Sequence, residues 1–315
     1  MKLYLKDIQY CLPDSNIDNI AEGSQLGKDE NFVRTKIGVE QRWIVSGKEK
    51  VSDIATRALC KLLVKNALDG NDIQCLIVVT QTPDYQLPQT SSIIKKKAGL
   101  SDNLANFDVS LGCSGFVYSL SIIMGFMQFH GLTRGVLITT DTYSTIVDKC
   151  DPNTGLLFSD AAAACLITSD GFGKLGHSIF GNDSENYDAL IVADKSSSLN
   201  MNGRKIYRMA IDNLPGAIEQ CLMKNELDLQ KIDRWYFHQG SQFVLDSICK
   251  SMGLRKEIVP DNIRKIGNTT SSSIPILMKD DEKNLRSSKI IGLVGFGVGL
   301  SWGCAFMEIG EYNDL

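Results

Sequence analysis

Histidine is scarce in this chain: its 315 residues include three, at positions 130, 177 and 238. With so few imidazoles and no Cys-x-x-Cys pair, no metal site is expected, because structural zinc takes four Cys or His ligands at short spacings. An excess of positive charge is missing too. Lys and Arg number 33 against 37 Asp and Glu, for a net charge of −4, so the basic footprint of a nucleic-acid binder is absent. The nine cysteines, at 11, 60, 75, 113, 150, 165, 221, 249 and 304, are odd in number, scattered and mostly inside apolar runs. That excludes a disulfide framework and points to a reducing compartment. No run is long enough to cross a membrane: the longest, from Gly115 to Phe129, contains Ser and Gln and is short for a span. Leu3-Tyr4-Leu5 is cut short by Lys6-Asp7, which leaves no signal-peptide core. A cytoplasmic protein is expected, and 43% hydrophobic content supplies a sizeable core.

The stretch FDVSLGCSGFVYSLSIIMGFMQFHG, residues 107–131, organises the rest. Phe107-Asp108-Val109 alternates like the end of a buried strand, and Ser110-Leu111-Gly112 turns the chain. From Cys113 onward Phe116, Leu120, Ile123, Met124 and Met127 recur at helical steps, with Gly131 as the stop. Cys113 therefore lies where a strand gives way to an apolar helix, beside free N–H groups and the positive end of the helix dipole. A thiol there is expected to ionise more easily than a free one, and the thiolate is the nucleophile. Gly112 and Gly115 are expected to leave room for a substrate to approach the backbone.

The order of elements repeats. In the first half, a helix over 52–68 (Ile54, Ala58, Leu62 and Ala67 inward) precedes a strand at 75–79 and a short helix at 91–98. A strand at 104–109, the Cys113 helix, and strands at 135–140 and 161–168 complete it. In the second half a helix over 211–227 leads to a strand at 234–237 and a helix over 242–252. A short segment then reaches Gly267-Asn268, followed by a helix over 269–279 and strands at 290–294 and 302–309. Continuous apolar runs such as Cys75–Val79 mark strands covered on both faces. Self-similarity of this kind predicts two α/β halves, 1–172 and 173–315, with their central helices packed together. Cys113 would begin one central helix and Asn268 would precede the other, so both would meet at a shared centre.

A cysteine nucleophile needs a proton acceptor, and histidine is the usual one. His130 sits at a helix end, suited to a cap, and His177 in a Gly-flanked stretch reads as surface or turn. His238 follows the strand Trp235-Tyr236-Phe237 directly, at the carboxyl end where ligand-facing residues of such sheets gather. Asn268, in IGNTTSSSIP, reads locally as a turn and N-cap. The run GLVGFGVG, residues 292–299, contains no G-x-G-x-x-G, so a dinucleotide loop is discounted. Its glycines instead allow backbone N–H groups to face a reacting oxygen.

The blocks DVSLGCSGF, HQGS, GNTTSSSIP and GFGVGLSWG, in that order and joined by the early VRTKIGVEQRWI, resemble the β-ketoacyl-acyl-carrier-protein synthase III family of the thiolase-fold superfamily over essentially the whole chain. The resemblance implies a layered α-β-α-β-α core of two pseudo-symmetric halves. It implies Cys113 as the acylated nucleophile, His238 and Asn268 as its partners, and an oxyanion hole from the backbone N–H groups of Cys113 and the Gly297–Val298 turn. No cofactor is implied beyond the substrate itself, an acyl-coenzyme A or acyl-carrier-protein thioester. Homodimers are usual in the family, and the loop around Leu87-Pro88 resembles the one that closes the partner's acyl pocket.

The chain departs from the family pattern at the substrate entrance. Phe32 and Lys36 stand where tryptophan and arginine usually grip the coenzyme A nucleotide, and Ser241 and Phe243 where asparagine and arginine are common. An arginine usual near Asn153-Thr154 is missing. Lys36, Arg34 and Arg208 are the candidate phosphate or carrier-protein contacts, with Tyr207 beside them, and the Ser196–Arg204 segment and Leu87 as pocket cover. The leading expectation is decarboxylative Claisen condensation of a malonyl thioester onto an acyl-Cys113. The alternatives are acyl transfer to an oxygen or nitrogen nucleophile of a small molecule, and a non-catalytic carrier-protein-binding scaffold. A papain-like peptidase shares the residue types but not the duplicated α/β chain.

Overall fold

A computed structural model describes residues 2–194 and 196–313. Strands β1 (Tyr4–Cys11), β2 (Cys75–Val79), β3 (Ala105–Val109), β4 (Arg134–Asp141) and β5 (Ala161–Thr168) belong to the first half. Strands β6 (Asp170–Asn182), β7 (Arg234–Phe237), β8 (Ile290–Gly297) and β9 (Ser301–Asn313) belong to the second. Hydrogen bonds order them β7-β8-β9-β6-β1-β5-β4-β2-β3. One bridge, Leu5 to Gly173, joins the two half-sheets. In each half two parallel strands, β4/β2 and β8/β7, are followed by an antiparallel pair, β4/β5 and β8/β9. The division drawn at 172/173 falls on the third residue of β6.

Six helices matter for the site: α1 (Val51–Lys65), α2 (Thr90–Ala98), α3 (Gly115–His130), α4 (Gly203–Lys224), α5 (Gln242–Met252) and α6 (Ser273–Asp280). Strand periodicity assigns each to a layer. In β2, Cys75, Ile77 and Val79 face α3 and α6, while Leu76 and Val78 face α1. In β8, Ile291 and Leu293 face the same central pair, while Val294 and Phe296 face α4 and α5. Both faces are apolar because both are covered. The result is the expected five-layer α-β-α-β-α stack, with α3 and α6 as its middle layer.

Three expectations need correction. Ala67 does not face inward, since α1 stops at Lys65 and Ala67 is exposed with a left-handed φ of 51°. The Asn66 Nδ2 turns back to the Leu62 carbonyl at 2.9 Å and ends the helix there. The short strand of the second half is absent. Its place is taken by a single helical turn, Ile263–Ile266, and one parallel bridge between Asn268 and Phe158. Conversely, the stretch around His177 forms β6, thirteen residues long, whose four glycines hide its strand pattern. His177 is exposed on that strand, and His130 ends α3 against Phe126 and Phe129.

The middle layer carries the fold. Leu120, on α3, is fully buried between the half-sheets. Leu120→Ala is expected to cost about 2–5 kcal/mol, the range for deleting such a side chain from a closed core. A urea melt would show a lower midpoint at an unchanged slope.

Candidate active site

Three chain segments converge where the central helices begin. Cys113 lies in the turn before α3, closed by a Gly115 N–H bond to the Gly112 carbonyl at 2.7 Å. The Ser114 and Ser301 hydroxyls pair at 2.7 Å and tie this turn to the start of β9. His238 extends the β7 ladder by one bond, its N–H donating to the Val294 carbonyl at 2.8 Å. Asn268 is held across the halves: its N–H donates to Leu157 O at 3.0 Å, and its carbonyl accepts from Ser159 at 2.9 Å. Two turns and a strand end thus deliver a sulfur, an imidazole and a carboxamide to one cavity of about 490 Å³, which Cys113, His238 and Asn268 all line.

The side chains are held by polar contacts on their outer sides. Nδ1 of His238 lies 2.7 Å from the Ser273 hydroxyl, and the ring edge meets Phe296 at 5.5 Å. That leaves Nε2 on the side of the pocket; a Cβ added at Gly240 would lie 3.3 Å from it. Asn268 accepts the Thr270 N–H on Oδ1 at 2.9 Å and directs Nδ2 weakly, at 3.4 Å, to the Gly240 carbonyl. When Ser273 donates to Nδ1, Nε2 carries the hydrogen, and both groups offer uncharged donors to the cavity.

Electrostatics at the sulfur run against the sequence expectation. Burial, reinforced by the charge of Asp141, pushes the Cys113 thiol up to about 12, opposed by the backbone N–H groups of Val298 and Cys113. The dipole argument loses to desolvation: only 4% of Cys113 is exposed. Burial also pulls His238 down to about 3, opposed by a backbone hydrogen bond with Thr270. The resting site therefore holds a neutral thiol and a neutral imidazole.

One glycine sets the approach to the sulfur. A Cβ on Gly297 would lie 2.8 Å from both Cβ and Sγ of Cys113, so only glycine lets this turn bring its backbone against the thiol. Together with the Val298 N–H, this places the candidate oxyanion-hole turn on Cys113. Gly112 acts differently from expectation. The space a Cβ there would need is filled by Val298 Cγ1 at 2.4 Å and Gln81 Oε1 at 2.6 Å, so close packing rather than a substrate uses that gap. At Gly115 the neighbours are likewise Val79 and Leu111 side chains.

The candidate substrate residues divide. Lys36, Tyr207, Ser241 and Phe243 line the cavity with Cys113, His238 and Asn268. Tyr207 stacks on Phe243 at 5.1 Å, and Ser241 also caps α5 by accepting the Val244 N–H at 3.2 Å. Phe32, Arg34, Arg208 and Leu87 do not line it. The Phe32 ring packs on the cluster around Val33 and Leu156, with the Lys28 ammonium 5.1 Å above it. Arg34 is taken by Glu30, at 2.7 Å, and by Glu40. Arg208 is exposed one helical turn, about 6 Å, further along α4 than the lining residue Arg204. Leu87 is 85% exposed on the loop after β2. Of the Ser196–Arg204 segment expected to cover the pocket, Met201, Gly203 and Arg204 line it. Sequence reasoning missed Phe296, which lines the cavity, and Ser273, which holds His238 Nδ1. Among the described residues, the Lys36 and Arg204 side chains have no ion-pair or hydrogen-bond partner, so the pocket mouth is cationic and its floor neutral. No group of His, Cys, Asp and Glu suited to a metal ion occurs among the described residues.

Comparison with known proteins gives a consistent result. The family described as 3-oxoacyl-(acyl-carrier-protein) synthase III matches residues 107–184, and its C-terminal counterpart matches residues 222–309. The chain is 30% identical over 317 residues to the β-ketoacyl-acyl-carrier-protein synthase III of Streptococcus mutans, covering 95% of this chain and 97% of that one. It is 29% identical to that of Lactococcus lactis subsp. cremoris with the same coverages. A crystal structure of the 3-oxoacyl-(acyl-carrier protein) synthase from Burkholderia xenovorans superimposes with a TM-score of 0.91 at 30% identity, covering 99% of this chain and 95% of that one.

The buried imidazole makes stability depend on pH in a known direction. His238 titrates at about 3 in the folded chain and near the ordinary 6.5 when unfolded, so between those values the unfolded state binds more protons and stability falls as pH falls. The loss attributable to this group reaches about 2 kcal/mol at pH 5. Asp141, raised to about 6 by burial, acts oppositely, stabilising as pH falls through 6. Comparing His238→Gln with the wild type isolates the histidine: denaturant melts from pH 7 to 5 should show the variant losing less stability.

Proposed function

The chain belongs to the 3-oxoacyl-acyl-carrier-protein synthase III family, and on that premise we propose that it loads an acyl group from a thioester onto Cys113 and condenses it with a malonyl thioester. The observation that carries this reading is the convergence of Cys113, His238 and Asn268 on one cavity floored by the Gly297–Val298 turn. In the first step the sulfur attacks the acyl carbonyl, the donor's C–S bond breaks, and the Cys113 proton ends on the departing thiol. The backbone N–H groups of Cys113 and Val298 hold the tetrahedral oxyanion.

In the second step the malonyl thioester loses carbon dioxide, and the electrons of the broken C–C bond become an enolate. Nε2–H of His238 and the carboxamide of Asn268 donate to its oxygen. A neutral imidazole suits that task, and the depressed basicity of His238 keeps it neutral. The enolate carbon attacks the acyl carbonyl, the C–S bond to Cys113 breaks, and the thiolate recovers a proton from solvent as the 3-oxoacyl thioester leaves. Lys36 and Arg204 at the mouth suit the phosphate of a pantetheine arm, with the Tyr207–Phe243 stack alongside.

A homodimer accords with two features. Leu87 and Tyr85 expose large apolar surface on one loop, 85% and 52% respectively, and among the described residues β3 is an edge strand paired with β2 alone. A cytoplasmic location accords with the thiols, and no helix among the described residues is long and apolar enough to cross a membrane.

Mass spectrometry after incubation with an acyl-coenzyme A or acyl-carrier protein should find the acyl mass on Cys113. Cys113→Ser should lower thioester-adduct formation by roughly 10³-fold or more, while Cys165→Ser, buried in β5, should stay close to the wild type. Carbon dioxide should then be released from malonyl thioester. Acyl transfer to a small-molecule hydroxyl or amine without that release would replace condensation with acyl transfer, and no adduct at all would leave a binding scaffold.

A further inference from the structure

The chemistry above leaves unused one carboxylate in the heart of the molecule. Asp141 ends β4 and is 1% exposed. Its Oδ1 accepts the Gln81 N–H at 2.7 Å and the Thr82 and Thr80 hydroxyls at 3.1 and 3.3 Å. Its Oδ2 accepts the Thr270 hydroxyl at 2.7 Å and the Ser271 hydroxyl at 3.4 Å. Among the described residues no cation pairs with it. A buried charge held only by neutral donors is expensive, and the cost shows in its titration, raised by burial to about 6.

What the carboxylate holds explains its position. Thr270 has a φ of 52°, a left-handed conformation costly for a β-branched residue that persists only where neighbours over-determine it. In that conformation Thr270 gives its N–H to Asn268 Oδ1 at 2.9 Å, and its backbone favours the protonated form of the neighbouring His238 ring. It thus acts on both groups that would receive the enolate. Asp141 itself comes from the half that carries Cys113. We propose that Asp141 is a positioning residue for the reaction, holding His238 and Asn268 in register with Cys113 through the Thr270 hydroxyl. The inference rests on the condensing role assigned to the same cavity.

Its charge has a second effect. The titratable groups facing Cys113 are Asp141, Tyr143 and His238, and of these only Asp141 is anionic at rest. Its charge adds to burial in disfavouring the Cys113 thiolate.

Two variants separate the geometric role from the electrostatic one. Thr270→Val removes the hydroxyl bond but keeps the β-branched shape and the Asp141 charge. Asp141→Asn removes the charge. Carbon dioxide release from malonyl thioester by acyl-loaded protein should fall at least tenfold in kcat in both, with KM nearly unchanged. The pH profile of Cys113 alkylation by iodoacetamide, which needs no substrate, should move to lower pH in Asp141→Asn and stay in place in Thr270→Val. Decarboxylation within twofold of the wild type in Thr270→Val overturns the positioning role, and does so even if Asp141→Asn fails to fold. An unshifted alkylation profile in folded Asp141→Asn overturns the electrostatic one. If the wild type neither loads acyl groups nor releases carbon dioxide, the condensing function fails and the positioning role falls with it, whereas the alkylation profile still decides the charge effect.

Discussion

The structure depends on burying two apolar helices, α3 and α6, between two sheets. Phe116, Leu120, Ile123 and Met127 on one and Ile274, Leu277 and Met278 on the other share one core with residues from both half-sheets. Neither helix can leave that layer without exposing an entire face to water, a loss of tens of buried methylenes at about 0.8 kcal/mol each. Helices so confined must begin near the carboxyl ends of the strands that feed them. The turn before α3 carries Cys113, and the turn before α6 carries Asn268. Apolar packing, which has no chemistry of its own, therefore brings together the groups that do.

Burial sets the electrostatic character of the site as well as its geometry. It raises the thiol and lowers the imidazole, so the pair rests uncharged and the protein avoids holding an ion pair out of water. The Val298 and Cys113 N–H groups nevertheless point at the sulfur. Such fixed dipoles stabilise negative charge when it forms, without reorganising at that moment. In the proposed reaction such a site would be quiet towards stray electrophiles and become reactive when a thioester carbonyl occupies the oxyanion position.

Much of this was readable from the chain. Period-2 and period-3.6 patterns located most of the nine main strands and six main helices, and the repeat of their order put Cys113 and Asn268 at equivalent places. Legibility failed where local pattern and tertiary context disagree. Glycines masked β6, whose pairing with β9 rather than its own composition makes it a strand. The dipole argument for an easily ionised Cys113 failed because desolvation is a property of the packed interior and has no local signature. Phe32 and Arg34 were drawn to the pocket by resemblance, yet an apolar cluster and two carboxylates claim them. Asp141 was invisible for a related reason: an aspartate after a strand ordinarily starts a turn, and only the fold shows that its partners come from both halves.

The division between mouth and floor follows from what each must do. Lys36 and Arg204 lie at the mouth, and among the described residues no carboxylate neutralises them. A fixed charge there can attract an anionic arm and release it again, because solvent screening keeps each contact weak. The same cations on the floor would favour the Cys113 thiolate permanently and offer a tight ionic partner to the malonyl carboxylate, stabilising the ground state that must lose carbon dioxide. Binding of that kind lowers KM without lowering the barrier. In the proposed condensation a neutral floor of imidazole, carboxamide and backbone N–H would instead favour the enolate oxygen over the carboxylate it replaces, so that keeping His238 uncharged would count for as much as placing it correctly.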